Sequence, residues 1–227
     1  MPEEALGYCL GRGLPESILD SIRLGVWVPP EEPVPDRDFE SRFGKRGEAV
    51  AGWLSIPIWN PTGSLVGVEF RTWQGAKNVM KHFLPSSKWN PMFVGLSHEA
   101  MNRIWDGASV WLVEGLFDLS IAHVAKKSVV LACGGARLSR HHADFLARFM
   151  APDSSVFLCF DEDPTGRGMA EGRYDDQGKF YPGARQSLEA RKIRVSVVRY
   201  RGGKDPGEIW EGGGREALTR TFHSYLF

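Results

Sequence analysis

The chain has 227 residues, 42% of them hydrophobic and 25% charged, with 28 basic residues against 28 acidic ones. That composition predicts one large or two small globular domains, and zero net charge excludes a global field that would draw the chain onto nucleic acid. No run of about 18 apolar residues occurs, and the opening Met1-Pro2-Glu3-Glu4 lacks the basic-then-apolar order of a signal peptide, so a cytoplasmic location without membrane partners is expected. Cys9, Cys133 and Cys159 are far apart and form no CxxC pair, which supports neither a disulfide framework nor a zinc knuckle. No zinc is expected, and Cys133 and Cys159 read as small buried hydrophobes.

In chain order, Gly13-Leu14-Pro15-Glu16-Ser17 starts a short helix whose apolar stripe is Ile18, Leu19 and Ile22, stopped by Gly25. The proline-rich PPEEPVPDRD (29–38) predicts an extended surface connection. Two β-rich runs joined by Asn60-Pro61-Thr62-Gly63 predict a hairpin, with Arg71 at the end of its second strand. Between about residues 70 and 90 the charges are Arg71, Lys77, Lys81 and Lys88 without an acid, interleaved with Trp73, His82, Phe83 and Trp89. Such a loop suits phosphates and stacked bases, and a solvated loop with a few core aromatics is the alternative.

From about residue 109 strands and helices alternate: Val110 to Val113, a helix from Phe117 to Lys126, Val129 to Cys133, a helix from Ser139 to Phe149, and Val156 to Phe160. Short connections in that order predict a parallel sheet with right-handed crossovers. Glu114, Asp161 and Asp163 then fall at carboxyl strand ends, where open α/β sheets bind ligands. If the strand continues extended, Asp161 and Asp163 share a face about 6–7 Å apart, close enough to share a hard divalent cation such as Mg²⁺; a solvated acidic turn is the alternative. A helix from Ala184 to Arg191, a strand at IRVSVVRY (193–200) and a loop bearing Lys204 and Asp205 follow, and the last residues predict a helix burying Leu218, Phe222 and Leu226. The polar, glycine-rich 167–182 reads as an inserted hairpin or mobile loop where a helix would ordinarily begin. Adjacent helical residues diverge by about 100°, so His141 and His142 are expected on the surface rather than on one metal.

Three segments stand in order at strand ends: VEGLFD with Glu114 and Asp118, FDEDPTG with Asp161 and Asp163, and GGKDPGE with Lys204 and Asp205. Together they resemble the TOPRIM module of primases, topoisomerases and some nucleases. GRGLPESILDSIRLGVWV, LSIPIWNPTGSLVGVEFRTW, KHFLPSSKWNPMFVGL and ACGGARLS resemble successive segments of the DnaG-type bacterial and phage primase catalytic core. The resemblance implies an α/β fold: a TOPRIM parallel sheet flanked by helices (109–212), a smaller mixed α+β subdomain before it (1–108) with the basic nucleic-acid surface, and a C-terminal helix (213–227).

It further implies a DNA-directed RNA polymerase that makes short RNA primers on single-stranded DNA from NTPs by two-metal phosphoryl transfer with Mg²⁺ or Mn²⁺. Glu114, Asp161 and Asp163 become the metal-binding catalytic core, with Glu114 also a candidate general base. Asp118 and Asp205 become outer or second-metal ligands, and Lys204 faces nucleotide phosphate. Gly134 and Gly135, just before a helix, offer backbone N–H groups to phosphate, with a plain tight turn as the alternative. Arg12, Arg71, Lys77, Lys81 and Lys88 contact the nucleic-acid backbone. No segment resembles the family's zinc-binding or helicase-interacting domain, so the chain reads as an excerpt or a compact phage or mobile-element version. A zinc-binding domain supplied elsewhere and a replicative helicase are then the expected partners, and extension is expected to exceed initiation. A TOPRIM nuclease and a non-catalytic nucleic-acid-binding replication protein are the alternatives; a topoisomerase would need a further large domain carrying a tyrosine.

Overall fold

The computed structural model describes residues 1–28, 49–60, 64–75, 79–83, 93–120, 129–134 and 137–223. Lys77, Lys88, Trp89, Gly135, Leu226 and the proline-rich connection lie outside the described residues.

The first part comprises α1 (Glu3–Gly11), α2 (Glu16–Ser21) and an antiparallel sheet of β1 (Gly25–Val26), β2 (Leu54–Trp59), β3 (Leu65–Arg71) and β4 (Val79–Phe83), in that spatial order. In β2, buried Leu54, Ile56 and Ile58 alternate with half-buried residues, the period-two signature of a sheet with one face on a core. The expected hairpin is β2–β3. Two expectations need correction here. No element is expected before Gly13, yet α1 buries Ala5 and Cys9 there. The basic segment is expected to be loop, yet Val79–Phe83 pairs antiparallel with β3, placing Lys81 opposite Glu69. An edge strand tolerates lysine and polar side chains because it has only one ladder to satisfy, and that hides its pattern.

After α3 (His98–Trp105) comes the second sheet, in spatial order β10-β7-β5-β6: β5 (Val110–Val113), β6 (Val129–Ala132), β7 (Ser155–Cys159) and β10 (Arg194–Val197), every pairing parallel. All residues of β5 and β6 are buried, as a sheet covered on both faces requires. A 3-10 helix (Phe117–Ser120) follows β5 where a longer helix is expected; the remainder of that expectation lies outside the described residues. Helix α4 (Arg140–Phe149) precedes β7, while α5 (Pro164–Glu171), a two-stranded hairpin of β8 (Arg173–Tyr174) and β9 (Phe180–Tyr181), and α6 (Ala184–Glu189) precede β10.

The segment 167–182 is therefore not all insertion. Asp163 caps a helix that begins with Pro164, whose fixed φ suits a first helical position, and only the hairpin beyond Gly172 is extra. His142 also departs from expectation: it is 2% exposed, stacked 4.3 Å from the Phe93 ring, with its backbone N–H bonded to the Ser139 hydroxyl at 3.1 Å. The third position of a capped helix turned it inward; His141 is exposed.

The final helix, α7 (Pro206–His223), is broken by Gly213 and Gly214 and buries Leu218 and Phe222 completely. One hydrophobic core runs through both sheets, from Ala5 and Leu14 through Leu54 to Leu112, Leu158 and Phe222. Cys9, Cys133 and Cys159 are all buried in it as free thiols. At its centre Trp111 is 1% exposed, stacked on Phe157 at 4.5 Å and edge-on to Phe222 at 5.6 Å. Trp111→Ala is expected to cost about 3–5 kcal/mol of unfolding free energy, measured by urea titration of the purified variant.

Candidate active site

The carboxyl ends of β5 and β7 are adjacent because the two strands are in parallel register, Val113 opposite Cys159. Glu114 follows β5 directly and Asp161 follows β7 after Phe160, and the two acids meet: the Asp161 backbone N–H donates to Glu114 Oε1 at 3.0 Å. One turn beyond Glu114, the 3-10 helix brings Asp118 back, its Oδ2 accepting the Gly115 N–H at 2.9 Å. Asp205 arrives on the loop after β10, where its Oδ1 accepts the Glu208 N–H at 2.7 Å at the start of α7.

These four acids line a cleft of about 420 Å³ together with Glu69, Arg12, Arg71 and Gly134. Its other wall is built by the first part of the chain. Arg71, last in β3, and Arg12, just after α1, both lie over the Phe117 ring, at 5.2 and 5.0 Å from its centroid. Glu69 shares the strand with Arg71, two residues away and 3.7 Å from its guanidinium. Arg12 is ion-paired to Glu211 on α7.

Crowded acids are costly in a partly dry cleft. Burial pushes the Asp161 carboxyl up to about 8, reinforced by the charges of Glu114, Asp118, Asp205 and Asp163. Burial likewise pushes Asp118 up to about 7, opposed by the Gly115 N–H and Arg71 and reinforced by Asp205 and Glu114. Glu114 is raised by burial and by Asp163 and Asp205, against the Asp161 N–H.

Among the described residues no three His, Cys, Asp or Glu side chains already converge as a closed metal cage. The donor set nevertheless fits a hard divalent cation: oxygen ligands only, held at strand ends, whose mutual repulsion a cation would relieve.

Not every expected site residue enters this cleft. Asp163 caps α5 through one oxygen, its Oδ1 accepting the Gly166 N–H at 2.8 Å, and the extended geometry expected to align it with Asp161 ends at Cys159. It acts on Glu114 and Asp161 through its charge. Lys204 Nζ is paired with Glu208 at 2.8 Å and does not line the cleft; its carbonyl accepts the Glu162 N–H at 2.7 Å, tying its loop to the end of β7. Gly134 lines the cleft, but it is not at a helix start as expected, because α4 is capped by Ser139 five residues later. Glu69 is the residue the sequence reading missed. Its signal is a lone acid in a hydrophobic strand, two positions before an arginine, and it is 3% exposed.

The family model described as Toprim-like matches residues 111–210. The chain is 26% identical over 242 residues to the DNA primase of Deinococcus radiodurans, an alignment covering 96% of this chain and 40% of that protein. The solved Aquifex aeolicus primase, comprising zinc-binding and RNA polymerase domains, superposes with TM-score 0.65 at 21% identity, over 98% of this chain and 56% of that one. A DnaG primase catalytic domain solved bound to ssDNA superposes with TM-score 0.63 at 18% identity, over 98% of this chain and 71% of that one. The parallel sheet and its acids are thus a Toprim-like unit. The chain around it has the fold of the DnaG-type primase catalytic core and is similar in sequence to bacterial DNA primases, of which it spans about two fifths.

Two outcomes test this site. Asp161 and Asp118 hold a proton more tightly folded than unfolded, where a carboxyl titrates near 4, so the stability they lend is full below about pH 4 and lost as pH rises through about 7 to 8. In EDTA the melting temperature should therefore fall between about pH 5 and pH 8.5, and Mg²⁺ should recover much of the loss at the alkaline end. A flat or rising profile in EDTA would sink this account. Second, a methyl group on Gly166 would lie 2.2 Å from the Asp161 carbonyl oxygen and 2.8 Å from Glu114 Oε1, so no side chain fits. Gly166→Ala is expected to lower stability by about 2 kcal/mol or more, read by chemical denaturation.

Proposed function

We propose that this chain is a primase-like nucleotidyltransferase, extending short RNA primers on a single-stranded DNA template from NTPs. The observation that carries the reading is the meeting of Glu114, Asp118, Asp161 and Asp205 with Arg12 and Arg71 in one cleft between the two sheets.

Nucleotidyl transfer needs a 3′-hydroxyl to attack an α-phosphate while pyrophosphate leaves. Divalent ions, Mg²⁺ or Mn²⁺, would supply charge neutralisation at the attacking and leaving oxygens. Glu114, Asp118, Asp161 and Asp205 would hold them, with Asp163 adding its field from the cap of α5. The protein orients three of these ligands with its own backbone: the Asp161 N–H fixes Glu114, the Gly115 N–H fixes Asp118 and the Glu208 N–H fixes Asp205. Arg71, between Glu69 and the Phe117 ring, is set to meet a phosphate on the wall facing the acids. Arg12 would act on the same wall after exchanging Glu211 for phosphate. Glu114 is the candidate base for the hydroxyl proton. Lys81, in β4, is a further contact that this reading assigns to the nucleic-acid backbone. A replicative helicase and a separately supplied zinc-binding domain are the partners this reading assigns.

The decisive measurement is incorporation of labelled NTPs on primed single-stranded DNA with Mg²⁺ or Mn²⁺, comparing the parent with Asp161→Ala plus Asp163→Ala. Template-dependent extension should fall by at least about 10³-fold in the double variant. Cleavage of the labelled template in place of extension would assign the same carboxylates to a nuclease.

A further inference from the structure

The loop that leaves β10 serves two cavities. It gives Asp205 to the acidic cleft and Arg199, Arg201 and Gly202 to a second cavity of about 850 Å³, whose far side is α7. Arg220 of α7 completes the cationic lining, and among the described residues no acid lines this cavity. Gly212, Gly213 and Ala217 form a floor of small residues. The break in α7 makes that floor: Gly214 has φ +58, and a methyl group on Gly213 would lie 2.8 Å from the Ala217 Cβ.

Arg201 and Arg220 are available. Arg220 pairs with Glu216 at 3.3 Å, both side chains more than two thirds exposed, and Arg201 is exposed. An exposed pair of this kind is weak, so an entering phosphate can take over the Arg220 guanidinium at little cost. Arg199 stays tied to Glu162 and Glu171 and adds its charge from the cavity wall.

Glu171, the last residue of α5, pairs with Arg199 of the cavity lining, and the β8–β9 hairpin starts two residues later. That hairpin displays rings where the core hides them: Tyr174 is 72% exposed, Phe180 42% and Tyr181 43%. Tyr174 and Phe180 pack together at 5.1 Å, and Lys179 Nζ lies 5.2 Å over the Tyr181 ring. The tip is fixed, with Asp175 Oδ1 accepting the N–H groups of Gln177 and Lys179 at 3.0 and 2.9 Å.

We propose that Arg199, Arg201 and Arg220 with the rings of the β8–β9 hairpin form a second track for single-stranded nucleic acid, phosphates in the cavity and bases on the rings. Guanidinium groups along a backbone path beside open aromatic faces are the two elements that single-strand binding combines. A free nucleotide would instead be served by an enclosing pocket, which rings on an open hairpin do not provide. The track deepens the primase reading by giving the strand a second hold outside the acidic cleft, and it rests on that reading only for the choice of strand as ligand.

The test is fluorescence anisotropy of a labelled oligothymidylate in EDTA, over a salt series, so catalysis plays no part. Arg201→Ala plus Arg220→Ala should weaken binding about tenfold and reduce the log–log salt slope by about 1.4, two phosphate contacts at 0.7 each. Tyr174→Ala plus Tyr181→Ala should weaken binding about fivefold with the salt slope unchanged, and should bind an abasic oligomer as the parent does. Circular-dichroism melts should match the parent for both variants. Parent-like oligomer binding by both variants would overturn the track, as would loss of labelled ATP binding alone in the arginine variant. Weakened strand binding together with failure of the incorporation test would leave the track standing and remove the primase reading.

Discussion

The hydrogen bond from the Asp161 N–H to Glu114 Oε1 ties the ends of the two central parallel strands together at the point where both release an acid. Only backbone is small enough to pass there. The turn that follows β7 has to bring Gly166 against Asp161 and Glu114 with no room for a side chain, and the helix that begins with Pro164 has to be capped from within the same four residues. Strand register, turn and cap are thereby mutually dependent: Glu114, Asp118 and Asp205 are held by main-chain amides, not by one another, which helps like charges to be assembled before any cation neutralises them. The elevated proton affinities of Asp118 and Asp161 record the energetic cost of that assembly.

The cleft also depends on residues far away in sequence. Phe117 is covered by Arg12 from α1 and Arg71 from β3, and Arg12 reaches across to Glu211 on α7. The antiparallel sheet, the parallel sheet and the last helix therefore meet around a single ring. The acids come from one sheet and the cations from the other part of the chain, so the cleft belongs to the joint. The continuous apolar core beneath it, from Leu14 to Phe222, makes the joint stiff.

Much of this was legible because hydrophobic runs that stop abruptly at charged residues are strong signals. Val110 to Val113 ending at Glu114, and Ser155 to Cys159 ending near Asp161, place two strands and two acids with no further information. Asp205 was legible from its turn residues. What failed is physically coherent. Asp163 followed by Pro164 is equally a metal-binding pattern and a helix start, and the extended geometry expected there gave way to a helix cap that uses one of its two oxygens. Glu69 is a single acid inside a buried strand, and only its distance to Arg71 shows that it faces the cleft. His142 reads as polar, but a capped helix packed its ring on Phe93. Strand β4 carries an edge strand's mixed composition, and α1 precedes every recognisable turn signal.

Glu69 sharpens the difference between a bare acidic cluster and a working cleft. A guanidinium beside four acids would, if unopposed, collapse onto them and occupy the place of a cation or phosphate. Here Arg71 is drawn back by a buried carboxylate on its own strand and supported by the Phe117 ring, and from there its charge lowers Asp118. Arg12 is held off in the same manner by Glu211. Each cation on that wall has an acid of its own behind it, and on the opposite wall Glu114, Asp118 and Asp205 each accept a backbone N–H. The two walls are thus kept apart by local satisfaction, which leaves a gap lined with opposite charges and suited to a ligand that carries both phosphate and metal.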